Sequence, residues 1–112
     1  MSKKEIPNYE NIHTIVFDFD GVFTDNKVYL DQEGKEIVRC DRSDGLGFDL
    51  LRTFIKRKKW DVDYFILSKE TNPVVRARAK KLRLSCKHSE DNKLDYLQTY
   101  LKKRFENYKE AY

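Results

Sequence analysis

Apolar positions along the chain alternate between short extended runs and stripes with helical spacing. Residues 13 to 17, ending Ile15-Val16-Phe17, form a β-branched and aromatic run that stops at Asp18-Phe19-Asp20-Gly21, which predicts a buried strand and then a glycine-assisted turn. Val28-Tyr29-Leu30 and Glu36-Ile37-Val38 flank Asp31-Gln32-Glu33-Gly34, the pattern of a β-hairpin in which Gly34 takes a positive φ. Leu46, Leu50, Leu51, Phe54 and Ile55 recur at helical spacing behind Ser43, a predicted N-cap, and the helix is expected to stop near the basic run Lys56 to Lys59. Val62, Tyr64, Phe65, Ile66 and Leu67 predict a second strand ending at Ser68, after which Asn72-Pro73 reads as an N-cap with proline at the first helical position. Val75, Ala79 and Leu82 continue that helix. A brief third strand near Leu84 to Cys86 follows, and Leu94, Leu97, Leu101, Phe105 and Tyr108 outline a long third helix.

This order predicts an α/β fold: one domain over residues 1–112, a parallel sheet with helices on both faces, and a hairpin flap at about 26–41. Ligands of such sheets sit beyond the carboxyl ends of the strands, where Asp18, Asp20 and Ser68 all fall. Apolar runs are only a few residues long, so no membrane-spanning helix is expected and a soluble, cytoplasmic protein is the reading.

Composition changes the picture little. The 112 residues are 39% hydrophobic and 38% charged, with a net charge of +4, which is polar for a packed domain but too rich in apolar residues for a disordered one. Bases and acids are interleaved in nearly every segment. The clusters Lys56 to Lys59 and Arg76 to Arg83 therefore read as solvated helix ends and faces, and no nucleic-acid partner is expected. Cys40 and Cys86 form no C-x-x-C and lie apart from a histidine cluster, so both are expected as reduced thiols.

The chemistry concentrates at Asp18 and Asp20. Side chains two apart on extended backbone point to one side, so these carboxylates converge on one small ligand or, alternatively, cap backbone amides in a turn. Two carboxylates that close repel unless a cation joins them, and Mg²⁺, a hard ion that retains several waters, suits oxygen donors. A phosphorylated substrate would complete its coordination, one carboxylate attacking phosphorus while the other serves as acid and then base. Thr24 supplies a hydroxyl near the turn and Ser68 one at the next strand end, while Lys93 stands at the start of the third helix, where it opposes the helix dipole unless an anion shares the site. Taken singly, Ser68 reads as a cap and Lys93 as a solvated side chain.

These residues resemble the haloacid dehalogenase (HAD) superfamily of phosphohydrolases, and Val16-Phe-Asp-Phe-Asp-Gly-Val-Phe-Thr-Asp25 is similar to the opening motif of its capless branch. That branch includes phosphatases of 3-deoxy-octulosonate 8-phosphate and of nine-carbon 2-keto sugar acid 9-phosphates, and phosphatase-like domains of acylneuraminate cytidylyltransferases. The resemblance, which runs from about Ile12 to Leu101, implies a HAD-like Rossmannoid sheet. It implies Asp18 as nucleophile, Asp20 as acid and base, and Mg²⁺ on the Asp18 carboxylate and the Asp20 carbonyl. Thr24, Ser68 and Lys93 would bind the phosphoryl group, although Asn92 stands where an aspartate is usual. Lys69-Glu70 replaces the Gly-Arg common in octulosonate phosphatases, and Glu70, Arg78 and Lys81 are similar to the residues that address the sugar end in nine-carbon phosphatases. Arg78 and Lys81, spaced i and i+3, share a helical face and either hold a carboxylate jointly or form a surface charge pair. The resemblance further implies a homotetramer in which one subunit's flap closes its neighbour's site.

The chain also departs from this family beyond Lys93. No strand ending in a Gly-Asp-Asp or Gly-Asn-Asp pair follows Lys93, so the fourth motif, with its metal ligand, is missing and the first strand is expected to have an open edge. The sequence thus reads as the front part of a longer phosphatase, or as a degenerate, catalytically silent assembly or ligand-binding module.

Overall fold

A computed structural model describes residues 8–87 and 92–104. After a short 3-10 turn at Tyr9–Asn11 come β1 (Thr14–Phe17), β2 (Tyr29–Leu30), β3 (Glu36–Ile37), α1 (Ser43–Lys58), β4 (Asp63–Leu67), α2 (Val74–Leu82), β5 (Ser85–Lys87) and α3 (Lys93–Arg104). The predicted order is met element for element. β1, β4 and β5 form a parallel sheet in the order β1-β4-β5, with Val16 opposite Phe65 and Phe65 opposite Ser85. β2 and β3 pair as the antiparallel flap, closed by Gly34 at φ 81°. At its base Thr24 bridges to Cys40.

Alternation along β4 divides the helices between the two faces of the sheet. Ile66, with no exposed surface, joins Phe19, Phe23, Phe48, Val75, Ala79 and Leu82 in the core beneath α1 and α2. Phe65 points the other way, into the edges of Tyr96 and Tyr100 of α3. β1 is a sheet edge among the described residues, paired with β4 alone, as the lack of a following strand led one to expect.

Three expectations need correction. The buried stripe of α1 is built on Phe48 with Leu51 packed beside it, whereas Leu46 and Leu50 are more than 60% exposed. The cause is aromatic: Phe48 stacks on Phe23 and meets the edge of Phe17, and these contacts set the helix's rotation. Nor is Ser43 the N-cap. It is the first helical residue, and the Asp41 carboxylate accepts hydrogen bonds from its backbone N–H (2.9 Å) and its hydroxyl (2.7 Å). The Asn72 expectation fares better, because its side-chain oxygen accepts from the N–H of Val74, where α2 begins. In α3 Leu94 is exposed and tyrosines make the sheet contacts, while Phe105 and Tyr108 lie outside the described residues.

Candidate active site at the carboxyl ends of the strands

β1 delivers Asp18 to the rim of the sheet, and Phe19 fixes the path of the chain beyond it. The Phe19 side chain is fully buried and stacked on Phe23, so the flanking Asp18 and Asp20 stay exposed. The Phe19 carbonyl accepts from the N–H groups of Val22 and Phe23, closing a tight turn that Gly21 completes at φ 78°, a backbone conformation costly for other residues. Asp18 Oδ1 accepts the Phe19 N–H at 2.8 Å and the Lys93 ammonium at 3.1 Å. Lys93 opens α3, so its charge would oppose the helix dipole, and Asp18 supplies the compensating anion. A contact between residues 75 positions apart thus joins two of the residues singled out in the sequence.

Asp20 sits among like charges. Partial burial pushes its carboxyl above the usual range, and Glu70, Asp18 and Glu36 push it further, with Lys93 pulling the other way. A carboxyl that holds its proton more tightly is suited to donating it to a leaving group. The donor set is made of hard oxygens and carries excess negative charge, so Asp18 and Asp20 fit a divalent cation that keeps several waters. Among the described residues no group of three or more His, Cys, Asp or Glu is arranged to enclose a metal.

Ser68, the residue after β4, is almost completely buried; its hydroxyl accepts the Glu70 N–H at 3.0 Å and its own N–H donates to the Lys87 carbonyl. Thr24 likewise serves its turn, its hydroxyl oxygen accepting from Gly21 and Asn26. Among the described residues neither hydroxyl proton has an acceptor, so each can donate to a ligand.

The three residues assigned to the sugar end each have separate surroundings. Glu70 accepts from the Asn72 N–H, while Arg78 donates to the Asp41 carbonyl at 2.7 Å, at the foot of the flap. Lys81 is exposed, and no hydrogen bond or ion pair joins it or Arg78 to Glu70. A cavity of about 550 Å³ beside the flap base is lined by Thr24, Arg39, Cys40 and Asp44 among others; Asp18 and Asp20 are not part of its wall. Burial raises both free thiols, Cys40 and Cys86, above the ordinary range, so each stays protonated at neutral pH.

Sequence reasoning missed the contact between Asn72 and Glu36. The Asn72 side chain donates to the Glu36 carbonyl at 3.2 Å, linking the loop after β4 to the flap. Nothing local in either segment signals that contact, which only the folded topology creates.

No family model matches the chain. It is 33% identical over 73 residues to the 3-deoxy-D-manno-octulosonate 8-phosphate phosphatase KdsC of Haemophilus influenzae, an alignment covering 65% of this chain and 37% of that protein. Among solved structures, a HAD family hydrolase of Streptomyces avermitilis superposes with a TM-score of 0.74 at 39% identity, over 89% of this chain and 54% of the other. The octulosonate phosphatase of Moraxella catarrhalis, solved with magnesium, phosphate and KDO, superposes at 0.69 with 26% identity, over 86% of this chain and 52% of that one. The chain spans about half the length of these solved relatives. The likeness in fold and in sequence is therefore to HAD phosphatases of the octulosonate type.

Proposed function

From a chain with the HAD-like fold and its paired aspartates at the end of β1, we propose a phosphoric monoester hydrolase acting on a sugar-acid phosphate, either an octulosonate 8-phosphate or a nine-carbon 2-keto sugar acid 9-phosphate. The observation that carries this reading is the Lys93 ammonium 3.1 Å from Asp18, an arrangement that puts a nucleophilic carboxylate beside a fixed positive charge. Asp18 attacks phosphorus and forms an aspartyl-phosphate as the phosphorus–alkoxide bond breaks. Asp20 donates its proton to the departing alkoxide, then takes one from the water that cleaves the aspartyl-phosphate and releases inorganic phosphate. Lys93 shifts part of its attraction from Asp18 to the phosphoryl oxygens as charge gathers there, assisted by the hydroxyl protons of Thr24 and Ser68. Mg²⁺, held by the Asp18 carboxylate and the Asp20 carbonyl, would neutralise charge on the same oxygens.

The likeness to octulosonate phosphatases supports the sugar-acid class. With Arg78 engaged at Asp41, selection of the sugar end falls first to Glu70, and Arg78 and Lys81 join only if the flap base rearranges. Assembly as a homotetramer belongs to the same proposal, supported by apolar side chains on the flap: Val28, Tyr29, Leu30 and Ile37 are each at least half exposed. A cytoplasmic setting is proposed with it; no described helix is long and apolar enough to cross a membrane. A second reading, a catalytically silent module that binds sugar acids, draws support from the absence of a three-ligand metal cluster among the described residues and from the buried Ser68 hydroxyl.

Release of phosphate from an aryl phosphate in Mg²⁺ tests the choice. The hydrolase predicts turnover that Asp18→Asn abolishes. Binding of sugar acids without metal-dependent turnover selects the silent module.

A further inference from the structure

Helix α3 carries its contacts with the sheet on one stripe. Lys93, Tyr96, Tyr100 and Arg104 are spaced three, four and four residues apart, so they lie along a single helical face. Lys93 meets Asp18 at the carboxyl end of β1, Tyr96 and Tyr100 meet Phe65, and Arg104 pairs with Asp61 and Asp63 at the opposite end of β4. No α3 side chain is fully buried, so apolar packing grips the helix only loosely. The directional grip is polar. The Tyr100 hydroxyl donates to Asp63 Oδ2 at 2.5 Å and accepts from the Arg104 guanidinium at 3.0 Å, with Thr14 Oγ1 at 3.4 Å.

Ring-to-ring contact with Phe65 tolerates small rotations of α3, whereas a short hydrogen bond to a carboxylate does not. A helix of 12 residues is about 18 Å long, so a slip at Tyr100 is carried to the Lys93 ammonium at its other end. We propose that Tyr100, with Asp63 and Arg104 as its partners, is a positioning residue that fixes the rotation of α3 and so holds Lys93 against Asp18. This rests on the reading of Lys93 as a ligand of the phosphoryl oxygens. Tyr100 touches no reacting atom and acts only through Lys93.

The test follows the lysine Cε resonances of the folded chain by NMR, with Lys93 assigned through Lys93→Ala. Asp18→Asn marks how far the Lys93 signal moves when its ion pair is lost. Tyr100→Phe keeps the ring against Phe65, and it is expected to move the Lys93 signal the same way and to weaken inorganic phosphate binding in Mg²⁺ about fivefold. Asp63→Asn, which still offers the hydroxyl an acceptor, is expected to move it less. In a Lys93→Ala background Tyr100→Phe should cost no further phosphate affinity. A Lys93 signal unchanged in Tyr100→Phe overturns the proposal, as does an equal loss of phosphate affinity with and without Lys93. A signal that moves in a chain that binds no phosphate upholds the positioning role and removes the phosphoryl reading instead.

Discussion

Replacing Phe19 examines why the two aspartates face solvent at all. Its side chain has no exposed surface and stacks on Phe23 at 5.8 Å between ring centroids. Burying a phenylalanine removes roughly 150 to 250 Å² from water, which at about 25 cal/mol per Å² corresponds to roughly 4 to 6 kcal/mol. Truncation to alanine keeps the first methylene but leaves a cavity, so Phe19→Ala is expected to cost about 3 to 5 kcal/mol, a large share of the stability of a small domain. Phe19→Leu retains most of the volume and should cost about 1 to 2 kcal/mol. In urea, with a slope of about 1 kcal/mol per M, Phe19→Leu then lowers the unfolding midpoint by about 1 to 2 M without changing the slope. Val22→Ala, at a half-exposed position in the same turn, is the control and should cost less than about 0.5 kcal/mol. A Phe19→Leu midpoint within about 0.3 M of the parent, measured by circular dichroism, refutes the claim that this ring anchors the carboxylate turn.

Other consequences are open to equally direct checks. Lys93→Ala is expected to lower turnover of an aryl phosphate about 100-fold while leaving the unfolding midpoint nearly unchanged, because the pair it forms with Asp18 is partly solvated. Gly21→Ala forces a methyl-bearing residue to φ 78° and should cost about 1 to 2 kcal/mol by urea titration, although the added carbon meets only ordinary contacts near Asn26. Hydrogen bonds from Ser43 hold the Asp41 carboxyl below its ordinary range, so its capping contribution is present above that range and lost as the pH falls through the lowered value. Asp41→Asn should therefore melt at a lower temperature than the parent at neutral pH, and the gap should close in acid.

Much of the fold could be read from the sequence because its signals are local. The run ending at Phe17, the glycine at position 34 and the Asn72-Pro73 pair each carry their own backbone preference, and β1, the flap and α2 form where those preferences put them. The rotation of α1 could not be read that way. Leu46, Leu50 and Phe54 and the pair Phe48 and Leu51 are competing stripes on one helix, and aromatic packing against Phe17 and Phe23, far away in sequence, decides between them. The site divides along the same line. Asp18, Asp20 and Lys93 stood out by motif and by helix electrostatics, and the structure joins them through an ion pair and through mutual influence on Asp20. Arg78 stood out by resemblance and by its spacing from Lys81, and no sequence signal foretold that its guanidinium donates to the carbonyl of Asp41. Asp63 and Tyr100 carry no motif, and their contact exists only once β4 and α3 are packed together.

The central claim is that Asp18 forms a covalent bond to phosphorus. Acid quenching of the chain during reaction with an activated aryl phosphate in Mg²⁺, followed by peptide mass spectrometry, measures that bond directly. A phosphoryl group on the peptide containing Asp18, absent from Asp18→Asn and lost on incubation at neutral pH, is the predicted result. Phosphate release by the folded chain with no such adduct, or with the group on a different residue, contradicts it.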